Sequence, residues 1–122
     1  MMIYTSYFAN LRNITDDITP ISIARFNPKW YTGLSCIDLA PTKSMLSRYK
    51  ETLDERTYIE AYRNIVLKRF DPDQLESDLY RLAQNSRIVL LCYEKPTDFC
   101  HRHLVSAWLN KHGIRCVEYY HR

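Results

Sequence analysis

The stretch Ile88-Val89-Leu90-Leu91-Cys92-Tyr93-Glu94 constrains this chain more than any other. A short unbroken apolar run bounded by polar segments reads as a strand buried on both faces, and such strands belong to parallel sheets. The residues after it sharpen the reading. Lys95-Pro96-Thr97-Asp98 reads as a turn, and a helical pattern then runs from Phe99 to His112, with Leu104, Val105, Trp108 and Leu109 on its apolar stripe. Gly113 is placed to end that helix in the left-handed region, and Arg115 to Tyr120 reads as a strand. Two parallel strands joined by a helix form a β-α-β unit. The expected fold is therefore α/β: a mostly parallel sheet of about four strands with helices packed on it, Rossmann-like and three-layered.

Earlier segments supply the other elements. Ile3 to Phe8 is rich in β-branched and aromatic residues and reads as a first strand; Ile21 to Phe26 reads as a second. Asn10 to Pro20 between them is polar and turn-like. Pro28 interrupts the pattern, so Asn27 to Pro41 is expected to be a long irregular loop. Thr42 or Ser44 caps a short helix ending near Lys50. Glu55 to Phe70 carries Tyr58, Ile59, Tyr62, Ile65, Val66 and Phe70 at helical spacing. Asp71-Pro72 starts another helix, with Leu75, Leu79 and Leu82 on one face. The order β-β-α-α-α-β-α-β fits one domain over residues 1–122, with no repeat or second domain.

Composition excludes several function classes. Only two glycines, Gly33 and Gly113, are present, too few for a dinucleotide-binding loop or a P-loop. A net charge of +3 permits an anionic partner without the basic stripe of a dedicated DNA binder. No apolar run approaches the roughly 18 residues of a membrane helix, and the first residues lack a signal-peptide pattern. A cytoplasmic setting is therefore expected, with Cys36, Cys92, Cys100 and Cys116 as free thiols.

In open α/β sheets, ligands bind beyond the carboxyl ends of the strands. That rule selects Ser6 and Tyr7 after the first strand, and Arg25, Lys29, Trp30 and Tyr31 after the second. It also selects Cys92 and Glu94 after the third, and Cys100-His101-Arg102 at the start of the following helix. Cys100 in a first helical turn gains thiolate character from backbone N–H groups and the dipole; otherwise it is a small buried thiol. Arg102 offers a planar fork to a phosphate or carboxylate. In regular helix Cys100 and His101 point about 100° apart, so they do not form a dyad, and His101 falls on the apolar stripe. Glu94, past a buried strand, suits acid–base work through a raised pKa, or pairs with Arg102, Arg25 or Lys95. Cys92 is either part of this site or inward packing. Trp30 and Arg25 suit a stacked base and a phosphate; Phe26 reads rather as a core plug. The spacing C-x7-C-H-x-H matches none of the usual zinc patterns, so no metal is expected. No motif indicates a cofactor.

The residues Leu90-Leu91-Cys92-Tyr93-Glu94-Lys95-Pro96-Thr97-Asp98-Phe99-Cys100-His101-Arg102-His103-Leu104-Val105 resemble the signature of the domain of unknown function 488 family. Tyr4 to Asn10, Ile21 to Arg25 and Leu39-Ala40-Pro41 resemble a small single-domain branch of it. The resemblance implies a compact α/β fold and a shared polar site at Cys92, Glu94, Cys100, His101, Arg102 and Arg25. It implies no particular reaction. Other branches typically carry a glycine-containing motif where this chain reads Thr5-Ser6-Tyr7.

The expected function is an enzyme with a Cys/Glu/Arg site acting on a phosphate-bearing ligand, a nucleotide or nucleic-acid component. Cys100, Glu94 and Cys92 are its candidate catalytic residues. Arg25, Arg102, His101, Ser6, Tyr7 and Trp30 are its candidate ligand contacts. The alternatives are a non-catalytic ligand- or protein-binding module and a nucleic-acid-associated accessory protein. Arg25 and Arg102 are expected to meet across the carboxyl edge and share an acidic or anionic partner, with Glu94 nearest.

Overall fold

The computed structural model describes residues 1–94 and 99–120, so the expected turn at Lys95 to Asp98 lies outside the described residues. Five strands form one sheet in the order β3-β2-β4-β1-β5, all parallel. They are β1 (Met2–Tyr7), β2 (Thr19–Ser22), β3 (Leu34–Ser35), β4 (Arg87–Cys92) and β5 (Cys116–Glu118). The apolar run is β4, and it is central. It pairs with β1 from Met2↔Arg87 to Tyr7↔Cys92 and with β2 from Thr19↔Ile88 to Ser22↔Leu91. Ile88, Val89, Leu90 and Leu91 are fully buried.

The helices are α1 (Lys43–Thr52), α2 (Glu55–Ala61), α3 (Pro72–Ala83) and α4 (His101–Lys111). Strand order and handedness decide which face each connection covers. The links leaving β1 and β2 run toward the β3 edge, whereas those leaving β3 and β4 run toward the β5 edge. Right-handed crossovers put these two sets on opposite faces. The core follows this division. Ile3, Ile21, Ile88, Leu90 and Cys116 pack under Met45, Tyr58, Leu75, Leu79, Val105 and Leu109 of the four helices. Val89 and Leu91 face the other way, onto Phe8, Ile14, Ile18, Ala24 and Tyr31. Among the described residues, the layer on that second face is a 3-10 turn at Phe8–Asn13 and the loop after β2, with no α-helix.

Three elements depart from expectation. β2 ends at Ser22 rather than Phe26: the Ser22 hydroxyl accepts from the Ala24 N–H at 3.2 Å and folds the chain out of the sheet. The supposed irregular loop contains β3, where Ile21↔Leu34 and Ser22↔Ser35 add a fifth strand. The helix expected through Phe70 leaves α geometry at Tyr62, with a π-turn over Tyr62–Val66 and a 3-10 turn over Leu67–Arg69. That re-phasing buries Tyr62, Val66 and Leu67 and leaves Ile65 exposed. As expected, α3 opens with Asp71 accepting from the Gln74 N–H at 3.0 Å and Pro72 in its first turn, and Gly113 has φ 81°.

Candidate functional site

The carboxyl end of β4 delivers Cys92 to the helix face of the sheet, and α4 starts directly above it. Cys100 is the cap residue before α4, with extended backbone (φ −154°, ψ 145°), not a first-turn residue. This turns its side chain back toward β4, where Cys92 and Cys100 are joined by a disulfide. The expectation of four free thiols is thus corrected: Cys36 and Cys116 are the free ones.

The cap conformation also corrects the Cys100–His101 geometry. Regular helix would splay the two side chains apart. Here Cys100 Sγ lies 3.8 Å from His101 Nδ1. His101 Nε2 is 2.7 Å from the carbonyl oxygen of Ile23, just past β2. A carbonyl only accepts, so Nε2 carries the hydrogen and Nδ1 presents its lone pair to the sulfurs. Burial of the ring pushes its pKa down to about 4 despite that hydrogen bond, so the imidazole is neutral at physiological pH. His103, two residues further on, is half-buried.

Arg102 has no exposed surface, and its partner is not the Glu94 carboxylate. Its guanidinium grips Glu118 of β5 bidentately, Nε to Oε1 and Nη2 to Oε2, both at 3.1 Å. Nη1 donates to Cys92 Sγ at 3.2 Å and to the backbone carbonyl of Glu94. Thr5 completes the group by donating to Glu118 Oε1 at 2.7 Å, and the Tyr7 ring lies 5.8 Å from the guanidinium. Four of the five N–H donors of Arg102 are therefore spent inside the protein. The side chain is a strut across β4, β1 and β5. Glu118 and Thr5 went unnoticed in the sequence; the signal is their register, Thr5↔Glu118, which only strand pairing provides.

Arg25 is placed differently. Its Nε donates to the Pro41 carbonyl at 2.9 Å, and its two amino groups make no hydrogen bond among the described residues. Among the described residues the two arginines share no partner. Arg25 lines a cavity of about 140 Å³ together with Phe26, Tyr49, Tyr58, Glu94 and Phe99, and Cys92, Cys100 and His101 line it as well. Tyr49, Tyr58 and Phe99 form an aromatic wall, with ring centroids 5.0–5.5 Å apart. Glu94 is exposed rather than buried. Phe26, read as a core plug, is exposed and lines this cavity, whereas Trp30 lines a separate groove beside Phe8 and Arg12. Ser6 is fully buried and accepts from Asn10 at 3.0 Å on the opposite face.

The site thus brings together Cys92, Cys100, His101, Arg25 and Glu94. Arg102 and Tyr7 stand behind it, and Ser6 and Trp30 lie elsewhere. A family model described as the active DUF488-N3 subclade matches residues 7–113, a span that holds all five converging residues and excludes Thr5 and Glu118. Neither the curated proteins nor the solved structures gave a match. With the match covering most of its length, this chain belongs to the DUF488 family.

Proposed function

We propose that the chain is a thiol-dependent enzyme acting on a phosphate-bearing ligand, a nucleotide or nucleic-acid component, with Cys92 and Cys100 as its reactive pair. The observation that carries this reading is the meeting, in one cavity, of two sulfurs, a cation with unspent donors and an aromatic wall. In the reduced protein Cys100, the less buried of the two cysteines, presents its thiol to the ligand in the cavity. Cys92 is its disulfide partner in the oxidised form. The amino groups of Arg25 take the anion in the forked geometry that suits phosphate oxygens. A flat ring stacks on Tyr49 and Phe99. Glu94, at the rim, positions a donor group of the ligand or relays its proton. The cavity is smaller than the roughly 300 Å³ at which drug-sized pockets begin, so one ring or one sugar-phosphate end enters and the remainder lies outside.

Titrating the reduced protein with nucleoside monophosphates, followed by NMR, tests this. Shifts should gather on Tyr49, Tyr58, Phe99 and Cys100, and Arg25→Met should weaken binding at least tenfold without unfolding the domain. Shifts centred elsewhere, or an Arg25→Met protein that binds equally well, would overturn it. A second reading, a nucleic-acid accessory module, draws support from the exposed Phe26 and Trp30 on a loop that also carries Arg25 and Lys29. It predicts salt-dependent binding of single strands that is abolished by Trp30→Ala.

A further inference from the structure

The two sulfurs and the imidazole nitrogen form a cluster with a chemistry beyond thiol attack. We propose that the reduced protein binds one thiophilic divalent cation of the zinc class through Cys92 Sγ, Cys100 Sγ and His101 Nδ1, with a fourth coordination position open to the cavity. The three donor atoms lie within 4.8 Å of one another, and all three residues are buried. Zinc bonds of about 2.3 Å to sulfur and 2.0–2.1 Å to nitrogen set tetrahedral donors roughly 3.5–3.8 Å apart. Cys100 Sγ and His101 Nδ1 already stand 3.8 Å apart. Once the disulfide opens, the sulfurs must separate while the donor set, which spans up to 4.8 Å, settles to this spacing. The Cα atoms of Cys92 and Cys100 are 7.3 Å apart, beyond the roughly 4.4–6.8 Å that most disulfides span. Two thiolates sharing one ion bridge that distance readily.

The surroundings supply what a metal site needs from its neighbours. The Ile23 carbonyl holds Nε2–H at 2.7 Å and so directs the Nδ1 lone pair at the sulfurs, the usual arrangement behind a metal-bound histidine. Arg102 Nη1 donates to Cys92 Sγ at 3.2 Å and stabilises negative charge on that sulfur. The same three residues line the cavity, so the fourth position faces a ligand or solvent, as in sites that bind rather than merely staple. Conventional zinc spacing misses this cluster because one sulfur comes from a strand end and the other from a helix cap.

The proposal goes beyond the thiol reading by giving the same sulfurs three mutually exclusive states: disulfide, dithiol and metal thiolate. Opening the disulfide takes two electrons and two protons from a thiol reductant, which is itself oxidised to its disulfide. Metal loading then releases the two thiol protons to solvent, and the bound sulfurs are protected from alkylation.

The test is anaerobic titration of the reduced, chelator-stripped protein with Co²⁺, followed by displacement with Zn²⁺. One Co²⁺ per chain should bind, with thiolate-to-cobalt charge transfer in the near ultraviolet and the strong visible bands of tetrahedral cobalt. The disulfide form should show neither. Cys92→Ser and Cys100→Ser should each weaken binding a hundredfold or more, His101→Gln at least tenfold, and Cys36→Ser not at all. If a serine variant fails to fold, comparing reduced with oxidised wild type decides the question with an unchanged sequence. Absent charge transfer in the reduced protein, equal binding by the disulfide form, or loss of the signal in Cys36→Ser would overturn the proposal. No substrate enters this measurement, so its failure leaves the reactivity of metal-free Cys100, which tests the thiol reading, separately measurable.

Discussion

Arg102 shows why residue identity alone misleads about role. A helix-start arginine beside a cysteine and a histidine reads as an anion clamp, yet its fork is filled by Glu118, sixteen residues later. Nothing local announces that pairing, because it depends on β5 lying beside β1. The consequence is energetic: the guanidinium is fully buried and the Glu118 side chain nearly so. Removing one partner strands the other charge in a site that water scarcely reaches, a loss of about 3–5 kcal/mol. Arg102→Met should therefore lower the unfolding free energy by about that much in urea titrations; a loss under about 1 kcal/mol would show that the pair is not structural. Thr5→Val, removing one hydrogen bond to Glu118, should cost about 1 kcal/mol. Cys100 teaches a related lesson. Its position in the motif was legible, but its geometry was not, because helical spacing rules stop applying one residue before the helix.

At the scale of elements, strong local signals survived and weak ones did not. The apolar run of β4, the Asp71-Pro72 start of α3 and Gly113 after α4 each have a local cause, and each is where the sequence places it. The limit of β2 and the existence of β3 rest instead on a serine hydroxyl and a two-residue pairing, which no periodicity reveals. The π-turn after α2 likewise answers to the core, which needs Tyr62 to reach the Leu39 carbonyl with its hydroxyl. Two substitutions probe the local signals. Gly113 has φ 81° and open space around an added Cβ, so Gly113→Ala should cost about 1 kcal/mol from backbone strain alone. Asp71→Ala removes the cap on the Gln74 N–H and should cost about 1 kcal/mol in thermal or urea unfolding. No measurable change in either would mean that these helix ends are held by packing.

For the whole molecule, strand order converts scattered residues into one site. The sequence indicated an α/β parallel sheet and a polar carboxyl edge; it could not reveal that β1 separates β4 from β5, which sets Glu118 behind Arg102 and leaves Arg25 alone at the cavity. The buried aromatic core also gives the fold a pH limit. Burial pushes Tyr31 and Tyr80 up to about 12 and Cys116 up to about 11, and it raises Tyr58 and Tyr62 as well. Each group holds its proton more tightly folded than unfolded. Their stabilisation is complete below the unfolded values of 9.0 for the thiol and 10.0 for the phenols, and it is lost as pH rises through the folded ones. Denaturation midpoints should therefore fall steadily above about pH 9; midpoints unchanged up to pH 11 would contradict this burial. No described helix is long and apolar enough to cross a membrane. The central claim is that the Cys92–Cys100 pair forms a reactive thiol site, and alkylation kinetics test it most directly. In the reduced, metal-free protein, mass spectrometry after brief iodoacetamide treatment at several pH values should show Cys100 modified faster than Cys36 and Cys116, whose thiols burial pushes up, and slowed by a bound nucleoside monophosphate. A Cys100 rate no higher than that of Cys36, with an ordinary thiol pH profile and no protection by nucleotide, would contradict the account.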